Sequence, residues 1–177
     1  MMKYFKTALI LTIISGICAT LIAGCNWLTA PVIEENARRK KSELYKEIFE
    51  EYDFDASPDA ITEGFSSEYI VEKLEAFDSS STKLGYVYTV SGSNAYGNIE
   101  LLVGINIDGT LEGVKFLTNG QSFNVQTETH VNGSYTSGLT STDVNDIDVN
   151  CGATYAAKLV KELVKACFAD SQQGGGW

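Results

Sequence analysis

The sequence predicts an α+β protein: an N-terminal transmembrane helix followed by one domain with an antiparallel sheet and flanking helices. Three stretches carry that expectation. Residues 7–28 form an apolar run without a charge. Between residues 84 and 117, three runs of aliphatic, β-branched and aromatic residues follow one another, and the last two are joined by Asp108-Gly109, a dipeptide suited to a tight hairpin turn. From Ala156 the apolar residues Leu159, Val160, Leu163, Val164 and Cys167 recur at helical spacing, with Lys158, Lys161, Glu162 and Lys165 between them.

These stretches divide the chain into a membrane anchor over 1–30, a helical stalk and linker over 31–82, a folded domain over 83–170 and a flexible tail over 171–177. Lys3 and Lys6 precede the apolar run, whose residues rise about 33 Å as a helix, enough to cross a hydrocarbon core. Trp27 suits the far interface. Ile22-Ala23-Gly24-Cys25 also has the pattern of a cleavage site ending in a cysteine that can be acylated. Apolar character that continues through Trp27, Leu28, Ala30, Val32 and Ile33 favours a retained span. Either way the domain lies outside the cytoplasm, although the basic cluster Arg38 to Lys41 runs against the positive-inside rule.

After Pro31, residues 32–52 read as a helix that becomes amphipathic through Leu44, Tyr45, Ile48, Phe49 and Tyr52. Residues 53–67 read as loop, 68–77 as a short helix and 78–82 as an exposed turn. Strands are expected over 84–90, 99–107 and 111–117, with a longer turn over 91–98. Residues 118–150 are rich in Asn, Gly, Ser, Thr and Asp and contain no Lys or Arg. A loop of that length inside a compact domain is functional or disordered. The Gln- and Gly-rich end is expected to be mobile, with Trp177 an exposed aromatic.

The formal net charge is −10. From Ser42 onward 7 basic and 21 acidic side chains leave −14, a balance that repels nucleic acid and anionic surfaces. The four cysteines do not read as a disulfide framework. Cys18 and Cys25 fall in or at the edge of the apolar run, and a continuous helix would hold Cys151 and Cys167 roughly 24 Å apart. Free thiols are expected, with Cys167 in the core.

Chemistry concentrates in Asp148-Val149-Asn150-Cys151-Gly152-Ala153-Thr154, which runs directly into the amphipathic helix beginning with Tyr155. Gly152 permits a sharp turn. A hydroxyl at the first helical turn sits beside unpaired backbone N–H groups and the positive end of the helix dipole, a natural place for phosphate. The plainer alternative makes Thr154 a helix cap and Gly152 a turn residue. Tyr96, Phe123, Tyr135 and Tyr155 are candidates to stack on a flat ring or simply to pack in the domain, Tyr155 standing out by its place beside Thr154. His130, the single histidine, has no Cys or His close in sequence, so no metal site is assigned. No Ser/His/Asp or Cys/His arrangement for nucleophilic catalysis and no Walker-type loop is present, and Asn132-Gly133-Ser134 matches a glycosylation acceptor without other support.

Over almost the whole chain the sequence resembles the FMN-binding domain family, in particular the G subunit of Rnf ion-translocating electron-transport complexes, related to the C subunit of the Na+-translocating NADH:quinone reductase. The similar stretches are the membrane exit Leu28-Thr29-Ala30-Pro31-Val32-Ile33-Glu34-Glu35-Asn36, the segments Gly85-Tyr86-Val87-Tyr88 and Tyr96-Gly97-Asn98-Ile99, and the run from Gly104 through Asp108-Gly109 to Val114. The most specific is the flavinylation motif, an Asp, two variable positions, a Ser or Thr, then Gly-Ala-Thr, matched by Asp148, Gly152, Ala153 and Thr154.

The resemblance implies FMN esterified through its phosphate to Thr154 by a flavin transferase that uses FAD and Mg2+. Cofactor contacts are then expected from Cys151, Gly152, Ala153 and Tyr155, with Asp148 binding the transferase's metal or capping a turn. A tethered phosphodiester carries about one negative charge and needs no cationic clamp, in keeping with the absence of Lys and Arg before Thr154. Cys151 stands where the family commonly has Ser or Thr. A second family signature, Glu-Thr-Pro-Gly-Leu-Gly after the third strand, is replaced by Asn119-Gly120-Gln121-Ser122 and later Thr127-Glu128-Thr129-His130. The function so implied is that of a single-span electron-transfer subunit, its domain on the extracytoplasmic side, with other membrane subunits of an Rnf-like complex as partners. Two alternatives stay open: a stand-alone extracytoplasmic flavinylated relay, and a surface lipoprotein that binds a partner or solute without redox chemistry.

Overall fold

The computed structural model describes residues 2–53, 57–58 and 60–174. The chain divides into two units, Met1–Lys41 and Ser42–Trp177. The first consists of most of helix α1, Met2–Ile48, which runs without a break although Pro31 lies inside it. Proline removes one backbone donor and so leaves a single helical carbonyl without its partner. Thr12, Thr20 and Thr29 each return their hydroxyl to the carbonyl four residues earlier, so these three hydroxyls are satisfied within the helix. Leu9, Ile10, Leu11, Ile13, Ile14, Ile17, Leu21 and Ile22 are all more than half exposed. Among the described residues this is the one helix long and apolar enough to cross a membrane.

The second unit is built on a four-stranded antiparallel meander: β1 Ile70–Phe77, β2 Lys83–Asn94, β3 Gly97–Asn106 and β4 Leu111–Asn119, in that spatial order. Alternation along the strands splits the side chains between two cores. On one face Tyr88, Val103 and Val114 stand in register, joined by Ile99, Leu101 and Ile105. Against them packs α4, Thr154–Gly174, through Ala156, Leu159, Val160, Leu163, Val164, Cys167 and Phe168. On the opposite face Leu74, Val87 and Leu102 meet Tyr45, Ile48, Phe49 and Tyr52 from the end of α1 and the segment after it. A side chain on Gly104 would overlap the Ile48 Cγ2 methyl, so glycine there sets how closely this layer approaches β3. Full burial of a large aliphatic or aromatic side chain contributes about 1.5–3 kcal/mol, and both faces of the sheet have such a cover.

The Asp108-Gly109 hairpin forms as expected: Gly109 has φ +80°, and Asn106 N–H donates to Thr110 O at 2.8 Å. Other expectations are corrected. Residues 70–77, read as helix, form β1, where polar members of that run find partners on neighbouring elements: Lys73 reaches Asp170 of the C-terminal helix at 3.1 Å, and Glu75 accepts from Lys83 of β2 at 2.6 Å. The turn between β2 and β3 is only Ala95-Tyr96, since both strands extend to the paired residues Asn94 and Gly97. Residues 118–150 are not one long loop but contain α2, Asn124–Ser134, and α3, Ser141–Asp146. The latter starts with a capping box between Thr140 and Asp143. The expected tail begins inside α4, whose Ser171 is buried; Trp177 lies outside the described residues. All four cysteines are free, and Cys167 is buried in the core as expected.

Candidate functional site

The approach to α4 is anchored before it turns. Val144 of α3 is fully buried, and Lys161, one face along α4, donates to Ile147 O at 2.9 Å. Asp148 then folds the chain back by accepting Asn150 N–H at 2.9 Å, and Cys151 N–H donates to Val149 O at 3.1 Å. Gly152 follows with φ +80°, in open space. The backbone conformation, rather than room, therefore calls for glycine there. Ala153 is buried and its carbonyl accepts Ala157 N–H at 3.0 Å, which makes Ala153 the cap and Thr154 the first helical residue.

The consequence for Thr154 is chemical. Its half-buried hydroxyl has no hydrogen-bond partner among the described residues, and neither have the N–H groups of Thr154, Tyr155 and Ala156 in the first turn of α4. The hydroxyl is thus not occupied as a helix cap. It stands beside three unpaired donors at the positive end of a 21-residue helix.

These groups open onto a small, half-open cleft of about 110 Å³, less than the usual volume of an enclosed small-molecule site, as suits a ligand only partly taken in. Gly152, Ala153, Thr154, Tyr155 and Ala156 form one wall, and Tyr96, Gln121 and Phe123 form the other. None of the lining side chains carries a charge. Tyr96 and Tyr155 stand with ring centroids 5.3 Å apart and planes inclined by 34°. Both are exposed, as is Phe123, so aromatic faces are presented at the mouth rather than spent on the core.

Local contacts hold both walls. Asn94 Nδ2 donates to Tyr155 O at 3.3 Å, tying the β2–β3 hairpin to α4. Gly120 N–H donates to Asn98 O at 2.9 Å. A Cβ on Gly97, whose φ is +139°, would collide with Gly120 O, so only glycine lets the hairpin end lie against the β4–α2 connection. Phe123 is positioned through its carbonyl, which accepts both the N–H and the hydroxyl of Thr127, the latter at 2.8 Å.

The structure brings Gly152, Ala153, Thr154 and Tyr155 together at the cleft with Tyr96 and Phe123. It leaves Asp148 and Cys151 outside the lining. Asp148 is exposed and occupied in its own turn, while Cys151 packs partly against the core. Tyr135 is not a ring-stacking residue: it is buried in the α4-side core, where burial raises its phenol pKa. His130 sits near it, ring centroids 6.4 Å apart, with Ser134 Oγ at 3.4 Å from Nδ1. Among the described residues no group of three His, Cys, Asp or Glu side chains could hold a metal. Gln121, the most buried polar side chain of the cleft, has no local signal that singles it out: its burial arises from the packing of a connection onto a distant hairpin.

Known proteins supply the family context. Residues 95–169, which hold all the cleft residues, match the family described as FMN-binding domain, and residues 2–48 match the RnfG N-terminal region. The chain is 30% identical over 126 residues to the G subunit of the Na(+)-translocating ferredoxin:NAD(+) oxidoreductase complex of Acetobacterium woodii, covering 67% of this chain and 61% of that protein. It is 28% identical over 120 residues to the G subunit of the ion-translocating oxidoreductase complex of Pasteurella multocida, covering 65% and 59%. The match thus spans about three fifths of the length of these relatives. The chain thus carries an FMN-binding domain over residues 95–169, joined to an RnfG-type N-terminal region over residues 2–48.

Proposed function

We propose that Thr154 is the attachment point of FMN, held as a phosphate ester, and that the protein is the electron-transfer subunit of a membrane-bound, ion-translocating oxidoreductase of the Rnf type. The observation that carries this reading is the unpartnered Thr154 hydroxyl at the first turn of α4, inside an aromatic cleft of an FMN-binding domain. Attachment is a phosphoryl transfer. Thr154 Oγ attacks the FMN phosphorus of FAD, the pyrophosphate bond breaks, AMP leaves, and the hydroxyl proton is released to solvent or to the transferase.

The remaining residues have separate tasks. The N–H groups of Thr154, Tyr155 and Ala156 would hold the ester phosphate, since the helix dipole favours an anion there. A single negative charge suits a lining that offers donors but no cation. Tyr96, Phe123 and Tyr155 supply apolar faces for the isoalloxazine ring, and the bound flavin supplies one- and two-electron chemistry. Asp148 and Cys151, outside the cleft, belong to the surface that the flavin transferase reads during maturation. The chain sits in the membrane through its apolar helix, with its domain on the extracytoplasmic side and other membrane subunits of the complex as partners.

Co-expression with a flavin transferase, followed by denaturing electrophoresis, tests the site. Wild-type chain fluoresces as a flavoprotein and Thr154→Ala does not; fluorescence retained by the variant removes Thr154 as the acceptor. Purification in mild detergent tests the assembly. Recovery of the flavinylated chain with further membrane subunits supports the pump reading, and recovery alone supports a stand-alone relay.

A further inference from the structure

Gln121 lines the cleft opposite Thr154 and is 5% exposed. Its Nε2 donates to Gly97 O at 2.6 Å. That contact fixes the orientation of the carboxamide, because a carbonyl can only accept and the oxygen cannot take the place of the nitrogen there. The backbone N–H of Gln121 is itself held by Asn119 Oδ1 at 3.3 Å. The side-chain oxygen Oε1 is therefore left buried without a hydrogen-bond partner. Buried acceptors are nearly always satisfied, and an exception beside a ligand cleft points to a donor the ligand brings. Against the aromatic faces of Tyr96, Phe123 and Tyr155, that donor belongs to the edge of a flat ring.

We infer that Gln121 Oε1 accepts a hydrogen bond from the N3–H of the isoalloxazine, making Gln121 the residue that positions the pyrimidine edge of the flavin. The inference rests on the flavin reading of the cleft. Of the ring nitrogens of oxidised isoalloxazine, only N3 carries a hydrogen, so a lone buried acceptor selects that edge. Phe123 and Tyr96, 54% and 46% exposed, line the cleft beside Gln121. The other end of the carboxamide stays on Gly97, so the contact links the flavin edge to the β2–β3 turn and, through Asn94, to the first turn of α4. Gln121 is thus a positioning residue and takes no part in electron transfer itself.

The test uses the full chain in detergent, prepared without transferase, and two soluble probes that need no tether: lumiflavin and 3-methyllumiflavin, which lacks the N3 hydrogen. Affinity is read from the quenching of probe fluorescence. Wild type is expected to bind lumiflavin about tenfold more tightly than the methylated probe, the scale of one net hydrogen bond. Gln121→Leu is expected to bind both equally, at the weaker affinity. Gln121→Glu, whose protonated carboxyl presents the same donor and acceptor pair, restores discrimination at acidic pH and covers the case in which the leucine variant fails to fold. Discrimination that persists in Gln121→Leu, or is absent from a wild-type chain that binds lumiflavin, overturns the role of Gln121 and leaves the flavin cleft intact. A wild type that binds neither probe and takes up no FMN from the transferase overturns both.

Discussion

Asp170 near the end of α4 carries a prediction that tests how the domain is locked to its sheet. Its Oδ1 accepts Ser66 N–H at 3.1 Å, and its Oδ2 accepts from Lys73 Nζ at 3.1 Å and Tyr88 OH at 3.3 Å. The lysine and aspartate side chains are only 11% and 9% exposed. Asp170→Ala leaves an ammonium, a phenol and an amide without their acceptor, and breaking a buried pair from one side costs about 3–5 kcal/mol. The Lys73 ammonium also lies 4.4 Å from the Tyr86 ring centre and 5.2 Å from that of Tyr88. This partial compensation places the expected loss near the lower end, at about 3 kcal/mol. For a domain of this size that is a fall in Tm of roughly 10 °C, read by tyrosine near-ultraviolet circular dichroism of the detergent-solubilised chain. The double variant Lys73→Met, Asp170→Leu should recover most of the loss, since no charge is then stranded. A single-variant loss below about 1 kcal/mol, or a double variant no better than the single one, would show that the Lys73–Asp170 pair does not lock α4 to the sheet.

The same carboxylate sets a pH dependence. Burial opposes its ionisation, but the hydrogen bond from Ser66 N–H and the contacts with Lys73 and Tyr88 outweigh that and hold its pKa below the usual carboxylate value. Its contribution is therefore complete above about pH 4 and is lost as pH falls through the lowered folded value; acid melts of wild type and Asp170→Asn should converge in that range. Gly104→Val drives a side chain into Ile48 and should cost about 1–3 kcal/mol, measured by urea unfolding. Gly152→Ala meets no clash but must hold φ +80°, so a loss of about 1 kcal/mol and slower flavin attachment are expected, checked by melting and by the time course of in-gel fluorescence. Burial and the neighbouring Asp170 push the Cys167 thiol pKa well up, so Cys167 should resist alkylation until the domain unfolds while half-buried Cys151 reacts first, as peptide mass mapping would show.

The elements with regular apolar spacing were legible in the sequence, and those shaped by distant partners were not. The apolar N-terminal helix, the Asp108-Gly109 hairpin and α4 each carry their own pattern, and each stands where expected. Strand β1 contains Glu72, Lys73, Leu74, Glu75 and Ala76, good helix formers. The partners Asp170 and Lys83 seat two of its polar side chains, Lys73 and Glu75, in the sheet. Helix α2 buries just Thr127 and Val131, too few to leave an apolar stripe, whereas Thr140 and Asp143 spelled the start of α3 and could have been read as a capping box. At the site, Gly152 and Thr154 were legible because turn and helix start are local. Tyr96 and Phe123 gain their place opposite Thr154 only through the meander, which delivers the β2–β3 turn and the β4–α2 connection to the N-terminus of α4.

Peptide mass mapping of the chain isolated from cells that express a flavin transferase is the most direct test of the ester on Thr154. One modified peptide is expected, carrying FMN less one water, with fragment ions that place the addition on Thr154, retained in Thr154→Ser and lost in Thr154→Ala. An unmodified Thr154 peptide from a chain that nonetheless holds FMN, or the same addition on another residue, would contradict the ester on Thr154.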